Sequence, residues 1–323
     1  MVGKYTIQLS TKRVSFKLDI KRKYTVIRGD SATGKSTLAN YILQYNLQGT
    51  DSGIYLKCDI PVRRFIDEDS LKHWNDCIVV VDEGDTILRS SAIASIFKES
   101  ECYFIIITRQ KLGYLPYSLH EIYEFESRTI QPKYTETSLC KKHHLKLEKT
   151  KPDVILTEDS GSGYTFFKES IDIVCDFAGG KTLIKNKLEE LIKIYKSVLV
   201  ICDGAAIGSE VEDLETYIQL IQGECNINIY APESFEWLIL RGLYYGKDVK
   251  RYLDYTYDYC DTKKYDSWEQ YYTAILKDLG NNFHKPYSKK NMDKYYYDNA
   301  EKILALIPNI KVEYNSVTDY FED

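Results

Sequence analysis

Residues 24–38 read YTVIRGDSATGKSTL, and this stretch decides the fold of the first half of the chain. It places the pattern G-x-x-x-x-G-K-S between an apolar, β-rich run and a stretch with helical character. Glycines let the backbone wrap closely around phosphate groups, and the free amides at the start of the following helix favour anions. The pattern therefore predicts a strand, a phosphate-binding loop and a helix in direct succession.

The loop predicts a site for a nucleoside triphosphate, with ATP and Mg²⁺ as the expected cofactors. Lys35 is expected to reach the β- and γ-phosphates, and the hydroxyl of Ser36 to ligate the magnesium ion. We define the glycine loop as residues 29–36. The residues expected to bind the nucleotide are Gly29, Asp30, Ser31, Ala32, Thr33, Gly34, Lys35, Ser36 and Thr37.

A second chemistry-bearing segment, CIVVVDEGD, occupies residues 77–85. Its continuous apolar run is typical of a strand buried on both faces. Asp82, at the end of this run, is expected to support the metal ion beside the phosphates. Glu83 is expected to position or activate the attacking water, with a plain helix-start charge as the alternative.

A third segment, CYFIIITRQ at residues 102–110, is expected to end at the same edge of the sheet. Thr108 could there sense the γ-phosphate, and Arg109 could serve a neighbouring subunit as an arginine finger. Ordinary strand-end positions are the alternative for Thr108, Arg109 and Gln110.

The first half resembles the broad class of P-loop ATPases, including the ABC-like and AAA-like branches, over roughly residues 1–135. The resemblance implies ATP hydrolysis, and it rests on the glycine loop and the acidic strand end. It departs from a standard ABC ATPase, because no LSGGQ-like signature and no long helical insert lie between Ser36 and Asp82. We expect a compact ATPase, or one whose missing elements are supplied by a partner protein.

Two segments of the second half, beginning at residues 154 and 197, read VILTEDSGSG and SVLVICDGAAIG. Each predicts a strand that ends in an acid, Glu158 in the first and Asp203 in the second, followed by a flexible turn. Carboxylates at the carboxyl ends of parallel strands can hold divalent cations, and two such cations can cleave a phosphodiester in line.

These segments resemble the Toprim fold of topoisomerases, primases and nucleases of the overcoming-lysogenization-defect (OLD) type. In that family a glutamate follows the first strand and an Asp-x-Asp motif follows a later one. The resemblance implies that Glu158 and Asp203 are catalytic and metal-binding, and that FAGGKTLI at residues 177–184 forms the glycine turn between them.

The pattern is incomplete, because Ala205 stands where the second aspartate of Asp-x-Asp would be. Glu210 and Asp159 are candidate substitutes. The second half is therefore either a metal-dependent nuclease or a degenerate binding module.

The segment NINIYAPESFEWLIL, from residue 226, also bears on this choice. It resembles the strand and glutamate-bearing helix of the Toprim-like subunit in two-part phage-defence systems such as PARIS. Glu233 and Glu236 carry that resemblance. The alternative is a capped helix that presents core residues such as Trp237 and Leu238.

Alternation of strands and helices predicts an α/β fold with parallel sheets covered on both faces. We expect a P-loop NTPase domain at 1–137, a basic linker at 138–152, a Toprim-like α/β domain at 153–232, and a helical C-terminal region at 233–323 packed on the Toprim-like domain. The linker is expected to be solvated, although its lysines could touch phosphates; they are Lys141, Lys142, Lys146, Lys149 and Lys151.

Composition and apolar patterning limit which partners and which cellular compartment are expected. The formal net charge of −5 argues against a wholesale basic nucleic-acid binder but leaves room for a local basic groove. No apolar run is long enough to span a bilayer, and the first residues lack a signal-peptide core, so a cytoplasmic protein without membrane contact is expected. The eight cysteines lack metal-ligand spacing and are expected to be reduced thiols.

The expected function is a Mg-dependent ATPase that couples its nucleotide state to a Toprim-like domain, in phage defence or mobile-element biology. The expected partners are ATP, with nucleic acid, a protein partner or a second copy of the chain as further candidates. An ATPase sensor or scaffold with a degenerate Toprim-like module is one alternative. A small-molecule or polynucleotide kinase is the other.

Overall fold

The computed structural model describes residues 1–29, 33–143, 145, 150–262, 264, 265 and 267–310. The chain is a mixed α/β protein with two compact units. Unit 1 consists of Met1–His144, Ala205–Ser209 and Tyr255–Trp268, and unit 2 of Leu145–Gly204, Glu210–Asp254 and Glu269–Asp323. In the described part of the chain, no helix combines the length and the apolar character needed to cross a bilayer.

Unit 1 contains one nine-stranded sheet with the order β4-β1-β2-β9-β8-β3-β7-β6-β5. Its strands are β1 Tyr5–Ser10, β2 Val14–Ile20, β3 Tyr24–Ile27, β4 Tyr55–Lys57, β5 Val62–Arg64, β6 Asn75–Val81, β7 Glu101–Ile107, β8 Ile122–Gln131 and β9 Tyr134–Lys141. Its helices are α1 Lys35–Gln48, α2 Glu68–Lys72 and α3 Ile93–Glu99.

The sheet of unit 1 is parallel only in part. Strands β5, β6, β7, β3 and β8 run parallel to one another, whereas β1–β2, β1–β4 and β8–β9 are antiparallel pairs. The prediction of a parallel sheet covered on both faces therefore fails for the outer strands. The physical reason is visible at β8–β9, where a two-residue connection can join only antiparallel neighbours; its second residue, Lys133, has a φ of 76°.

The parallel strands at the centre are buried on both faces, as their unbroken apolar runs predict. Along β6, Val79 and Val81 pack into a cluster that includes Phe97 of α3, whereas Ile78 and Val80 pack into a cluster that includes Leu38 of α1. This alternation follows from the two-residue period of a strand. Because β3, β7 and β6 are adjacent and parallel, their carboxyl ends lie along one edge of the sheet.

Unit 2 contains a four-stranded sheet, all parallel, with the order β11-β10-β12-β13. Its strands are β10 Val154–Thr157, β11 Val174–Phe177, β12 Ser197–Ile201 and β13 Asn226–Tyr230. The helices that follow β10 are α4 Ser162–Ser170, α5 Ile184–Leu191, α6 Val211–Leu220, α7 Phe235–Leu243, α8 Lys247–Asp254, α9 Trp268–Asn282, α10 Lys294–Asp298 and α11 Ala300–Leu304.

Three stretches differ from the expected domain layout. The first residues of the expected linker continue strand β9 as far as Lys141, and residues 146–149, with Lys146 and Lys149, lie outside the described residues. Ala205–Ser209, within the expected Toprim-like domain, and Tyr255–Trp268, within the expected C-terminal region, both belong to unit 1. The guanidinium of Arg22 lies 3.4 Å from the centre of the Trp268 ring, which anchors this late segment to the start of the chain.

Candidate functional site

The described part of the glycine loop has the backbone conformation that its glycines predict. Gly29 has a φ of 118° and Gly34 a φ of 89°, a region that side chains with a Cβ rarely adopt. Helix α1 begins directly after Gly34 and is 14 residues long. The predicted nucleotide-binding residues Asp30, Ser31 and Ala32 lie outside the described residues.

Lys35 lies at the start of α1, with its head held at the loop. Its Nζ donates to the carbonyl oxygen of Gly29 and to the hydroxyl of Thr33, both at 2.8 Å. The residue is buried, whereas Ser36 and Thr37 are exposed on the first turn of the helix. An ammonium and a hydroxyl are thus presented beside the partial positive charge of a helix N-terminus, where anions are favoured.

The topology brings the acidic turn, residues 82–85, and the Thr108 segment, residues 108–110, to the same edge as the glycine loop. Strand β7 lies between β3 and β6, and all three are parallel, so their carboxyl ends share one edge. Thr108, the residue after β7, donates from its backbone nitrogen to the carbonyl oxygen of Ile27 at 3.2 Å. Ile27 ends β3, two residues before the glycine loop. The loop, the acidic turn and the Thr108 segment therefore lie side by side, as the sequence predicts.

The acidic turn after β6 is fixed by a residue pair that sequence reasoning missed. Arg64 donates two hydrogen bonds to the carboxylate of Asp85, at 2.6 and 2.9 Å. The same carboxylate accepts from the backbone nitrogen of Asp82 at 2.8 Å, and the carboxylate of Asp82 accepts from the nitrogen of Glu83 at 2.9 Å. The signal that the sequence offers for this pair is the third acid of the DEGD turn, Asp85.

Glu83 is paired within the chain with the predicted finger, Arg109. The Nε of Arg109 lies 3.0 Å from one carboxylate oxygen of Glu83, and the backbone nitrogen of Arg109 lies 3.4 Å from the other. Thr108 is fully buried, and its hydroxyl accepts from the backbone nitrogen of Gln110 at 3.0 Å. Arg109 thus contacts the predicted water-positioning carboxylate of its own chain.

The donor set of unit 1 fits a magnesium ion bound together with a triphosphate. Magnesium prefers oxygen ligands and is usually held by one or two protein oxygens, phosphate oxygens and water. Ser36 offers a hydroxyl on the exposed first turn of α1, and Asp82 offers a carboxylate at the shared edge. These two residues would hold the ion.

In unit 2, Glu158 and Asp203 come together as the sequence predicts. They follow β10 and β12, which are adjacent parallel strands at the point where the strand order reverses, the usual place for a ligand crevice. The backbone nitrogen of Asp203 donates to Oε2 of Glu158 at 3.3 Å. The glycine turn also lies here, because the nitrogens of Gly179 and Gly180 both donate to the carbonyl of Glu158.

Both carboxylates lie in surroundings that disfavour their charged form. Burial raises the pKa of Glu158, and the bond from the Asp203 nitrogen opposes that shift. Burial raises the pKa of Asp203 well above its usual range; the negative charges of Glu269, Glu158 and Glu236 add to the shift, and Lys289 opposes it. Negatively charged side chains therefore dominate the surroundings of Asp203.

The turn after Asp203 has a packing reason for its glycine. The Gly204 nitrogen donates to the carbonyl of Pro232 at 2.6 Å, and a Cβ on Gly204 would lie 2.4 Å from the carbonyl oxygen of Ala231. The next residue, Ala205, belongs to the Ala205–Ser209 segment of unit 1. The missing aspartate is thus replaced by a side chain without any metal-binding atom.

The expected substitutes do not complete a metal centre. The carboxylate of Asp159 accepts from the Gly161 nitrogen at 2.9 Å and so closes its own turn, and Glu210 is buried at the start of α6. Nowhere among the described residues do three or more His, Cys, Asp or Glu side chains form a group able to hold a metal ion. The donor set of unit 2 does not fit the divalent centre that the Toprim resemblance implies.

Three side chains from distant helices and loops complete the acidic site. Glu236, fully buried near the start of α7, accepts from the hydroxyl of Tyr287 at 2.8 Å. Lys289 forms ion pairs with Glu236, at 3.4 Å, and with Glu269 of α9. We define the unit 2 acidic site as Glu158, Asp203, Glu236, Glu269 and Lys289.

Sequence reasoning found only part of that site. Glu236 lies in a segment whose sequence predicts a helix start, but Glu269 and Lys289 carry no local pattern that marks them. Comparison with known proteins adds no further residue, because no protein-family model matches the chain and no curated protein matches it significantly.

Proposed function

We propose that unit 1 binds and hydrolyses a nucleoside triphosphate with magnesium, and that its nucleotide state controls a Toprim-like binding module in unit 2. The observation that carries the proposal is the shared edge of β3, β7 and β6, which presents the glycine loop, the Thr108 segment and the acidic turn together. ATP is the nucleotide we assign. Phage defence or mobile-element biology is the setting that the resemblances suggest.

Different residues of unit 1 contact different parts of the magnesium nucleotide. The amides of the glycine loop and the start of α1 contact the phosphates, and Lys35 exchanges its bonds to the loop for bonds to phosphate oxygens. Ser36 and Asp82 hold the magnesium ion. When bound, the ion neutralises charge on the phosphate oxygens.

Glu83 orients the attacking water and accepts its proton as the water oxygen bonds to the terminal phosphorus and the diphosphate leaves with its bridging oxygen. Its carboxylate is already fixed from two sides, by the guanidinium and the backbone nitrogen of Arg109. Arg109 is therefore a positioning residue for Glu83 in this proposal. Service to a neighbouring subunit would require it to leave this pair.

The proximity of Glu158 to Asp203 also supports a second candidate for unit 2, a metal-dependent nuclease. Two observations oppose the nuclease and favour the degenerate binding module: Ala205 stands where a second aspartate is expected, and the set of metal ligands is incomplete. Incubation of the protein with DNA or RNA and Mg²⁺ or Mn²⁺ separates the two. Cleavage by the unmodified protein that disappears in Glu158→Ala would show that unit 2 is a nuclease and not a degenerate binding module.

Nucleotide binding and phosphate release test the proposal for unit 1. Lys35→Ala should weaken ATP binding by about tenfold or more, because it removes a charge-assisted contact to phosphate. Glu83→Gln should bind ATP like the unmodified protein but hydrolyse it about 100-fold or more slowly, the usual range for loss of a general base.

Matched controls for those variants are Lys12→Ala and Glu136→Gln, two exposed positions of the same unit, which should change neither property. Absence of magnesium-dependent ATP binding by the unmodified protein would refute the proposal. Transfer of the terminal phosphate to an added hydroxyl acceptor, without release of free phosphate, would show a kinase.

A further inference from the structure

The unit 2 acidic site contains a cation of its own. The ammonium of Lys289 lies between the carboxylates of Glu236 and Glu269 and pairs with both. Partial burial would lower the pKa of Lys289, but the charges and hydrogen bonds of these two glutamates outweigh it and raise the pKa above its usual value. Lys289 therefore stays charged at neutral pH.

Two carboxylates that converge on one point define a place for a cation. Glu236 reaches the Lys289 Nζ with the same oxygen, Oε1, that accepts from the Tyr287 hydroxyl, so this oxygen is held in position from inside the fold. Tyr287 is itself fixed by a hydrogen bond of 3.1 Å with the hydroxyl of Ser162. The side chain of Glu236 is 2% exposed, so Lys289 supplies a positive charge to a carboxylate that water hardly reaches.

Most of the charges around Asp203 are negative. Asp203 lies within electrostatic reach of Glu158, Glu236 and Glu269, and Lys289 opposes them, as Lys181 does at Glu158. Carboxylate oxygens around one point are what a divalent cation uses as ligands. In this chain the Nζ of Lys289 occupies the point on which Glu236 and Glu269 converge.

We infer that the Lys289 ammonium is the resident cation of the unit 2 acidic site and fills the place that a divalent ion would otherwise take. This accounts for a site that gathers carboxylates yet offers no complete set of metal ligands. The inference concerns unit 2 alone and does not depend on nucleotide binding by unit 1.

The test is Mn²⁺ binding to the nucleotide-free protein, measured by the loss of the free-ion signal in electron paramagnetic resonance. The unmodified protein and Lys289→Arg should show no tight site, because a positive charge remains. Lys289→Met and Lys289→Gln should each gain one Mn²⁺ site, about tenfold or more tighter than any site of the unmodified protein, because the carboxylates then lack a counter-charge. Two substitutions are used so that a folding defect in one does not decide the outcome.

The gained site must depend on the carboxylates that now pair with Lys289. Adding Glu269→Gln to Lys289→Gln should remove it, whereas adding Glu301→Gln, an exposed acid of the same unit, should not. Equal Mn²⁺ affinity of the unmodified protein and both Lys289 variants would overturn the inference. So would a tight site in the unmodified protein that disappears in Glu158→Gln, since that site would be a divalent centre despite Lys289.

Discussion

The surroundings of Asp203 oppose its charged form. Burial raises its pKa from the ordinary 3.8, the charges of Glu269, Glu158 and Glu236 raise it further, and Lys289 lowers it. The folded state therefore binds this proton more tightly than the unfolded chain does. The contribution of Asp203 to stability is greatest below the ordinary pKa and is lost as pH rises towards the raised pKa.

Asp203→Asn should accordingly raise the free energy of unfolding of unit 2 at neutral pH and flatten its decline above about pH 4. Urea unfolding of the full chain between acid and neutral pH, followed by a probe in unit 2, measures both effects. Asp172→Asn, an exposed aspartate of the same unit, serves as the control and should leave the curve unchanged. A variant less stable than the unmodified protein at neutral pH would contradict the prediction.

At this scale the sequence reveals residues whose role is local. Gly29 and Gly34 were predicted from the loop pattern, and both have the positive φ that explains their identity. The pairs of Lys289 were not predicted, because its nearer partner, Glu269, is 20 residues away and no periodic pattern links them. Pairing of this kind depends on how helices and loops pack.

At the scale of elements, the acidic turn after β6 depends on β5. Arg64 ends β5, and its fork of two hydrogen bonds holds Asp85, whose carboxylate in turn holds the backbone of Asp82. The side chains of Arg64 and Asp85 are only 14% and 15% exposed, so solvent screens this pair weakly. The turn should therefore lose its shape when Arg64 is removed.

Arg64→Ala should lower the free energy of unfolding by about 2 kcal/mol, within the range for hydrogen bonds to charged groups. It should also slow ATP hydrolysis more than it weakens ATP binding, because Asp82 and Glu83 lose their support while the glycine loop is untouched. The control is Arg128→Ala, whose pair with Glu126 is 79% and 53% exposed and should contribute less than about 1 kcal/mol. An unchanged hydrolysis rate in Arg64→Ala would contradict the prediction.

The sequence predicts elements well where both faces are buried and poorly where one face is open. The runs at residues 77–81 and 103–107 fall within β6 and β7, because unbroken apolar runs mark strands covered on both sides. Strand β8 was not predicted. Eight of its ten residues are exposed or only partly buried, so no apolar run announces it.

At the scale of the whole molecule, unit 1 is discontinuous in sequence. The Ala205–Ser209 and Tyr255–Trp268 segments are separated in sequence from Met1–His144 by residues of unit 2 and still belong to unit 1. The composition of Tyr255–Trp268 is polar and tyrosine-rich, so the sequence gives no sign of where it packs. Only tertiary contacts reveal it, through the indole of Trp268 against Arg22 and the Trp268 Nε1 that donates to Asp261 at 3.3 Å.

Trp268→Ala should therefore destabilise unit 1, although the residue lies far from its strands in sequence. Trp268 is 9% exposed, and removal of a buried tryptophan costs about 3–5 kcal/mol. Hydrogen–deuterium exchange of the full chain should show faster exchange in peptides that cover β3 and β7. Trp237→Ala is the matched control, since Trp237 lies in unit 2 and its loss should speed exchange in peptides of β13 and α7 instead. Faster exchange confined to α9 in Trp268→Ala would contradict the assignment, because a tryptophan that stabilised only its own helix would leave the central strands of unit 1 protected.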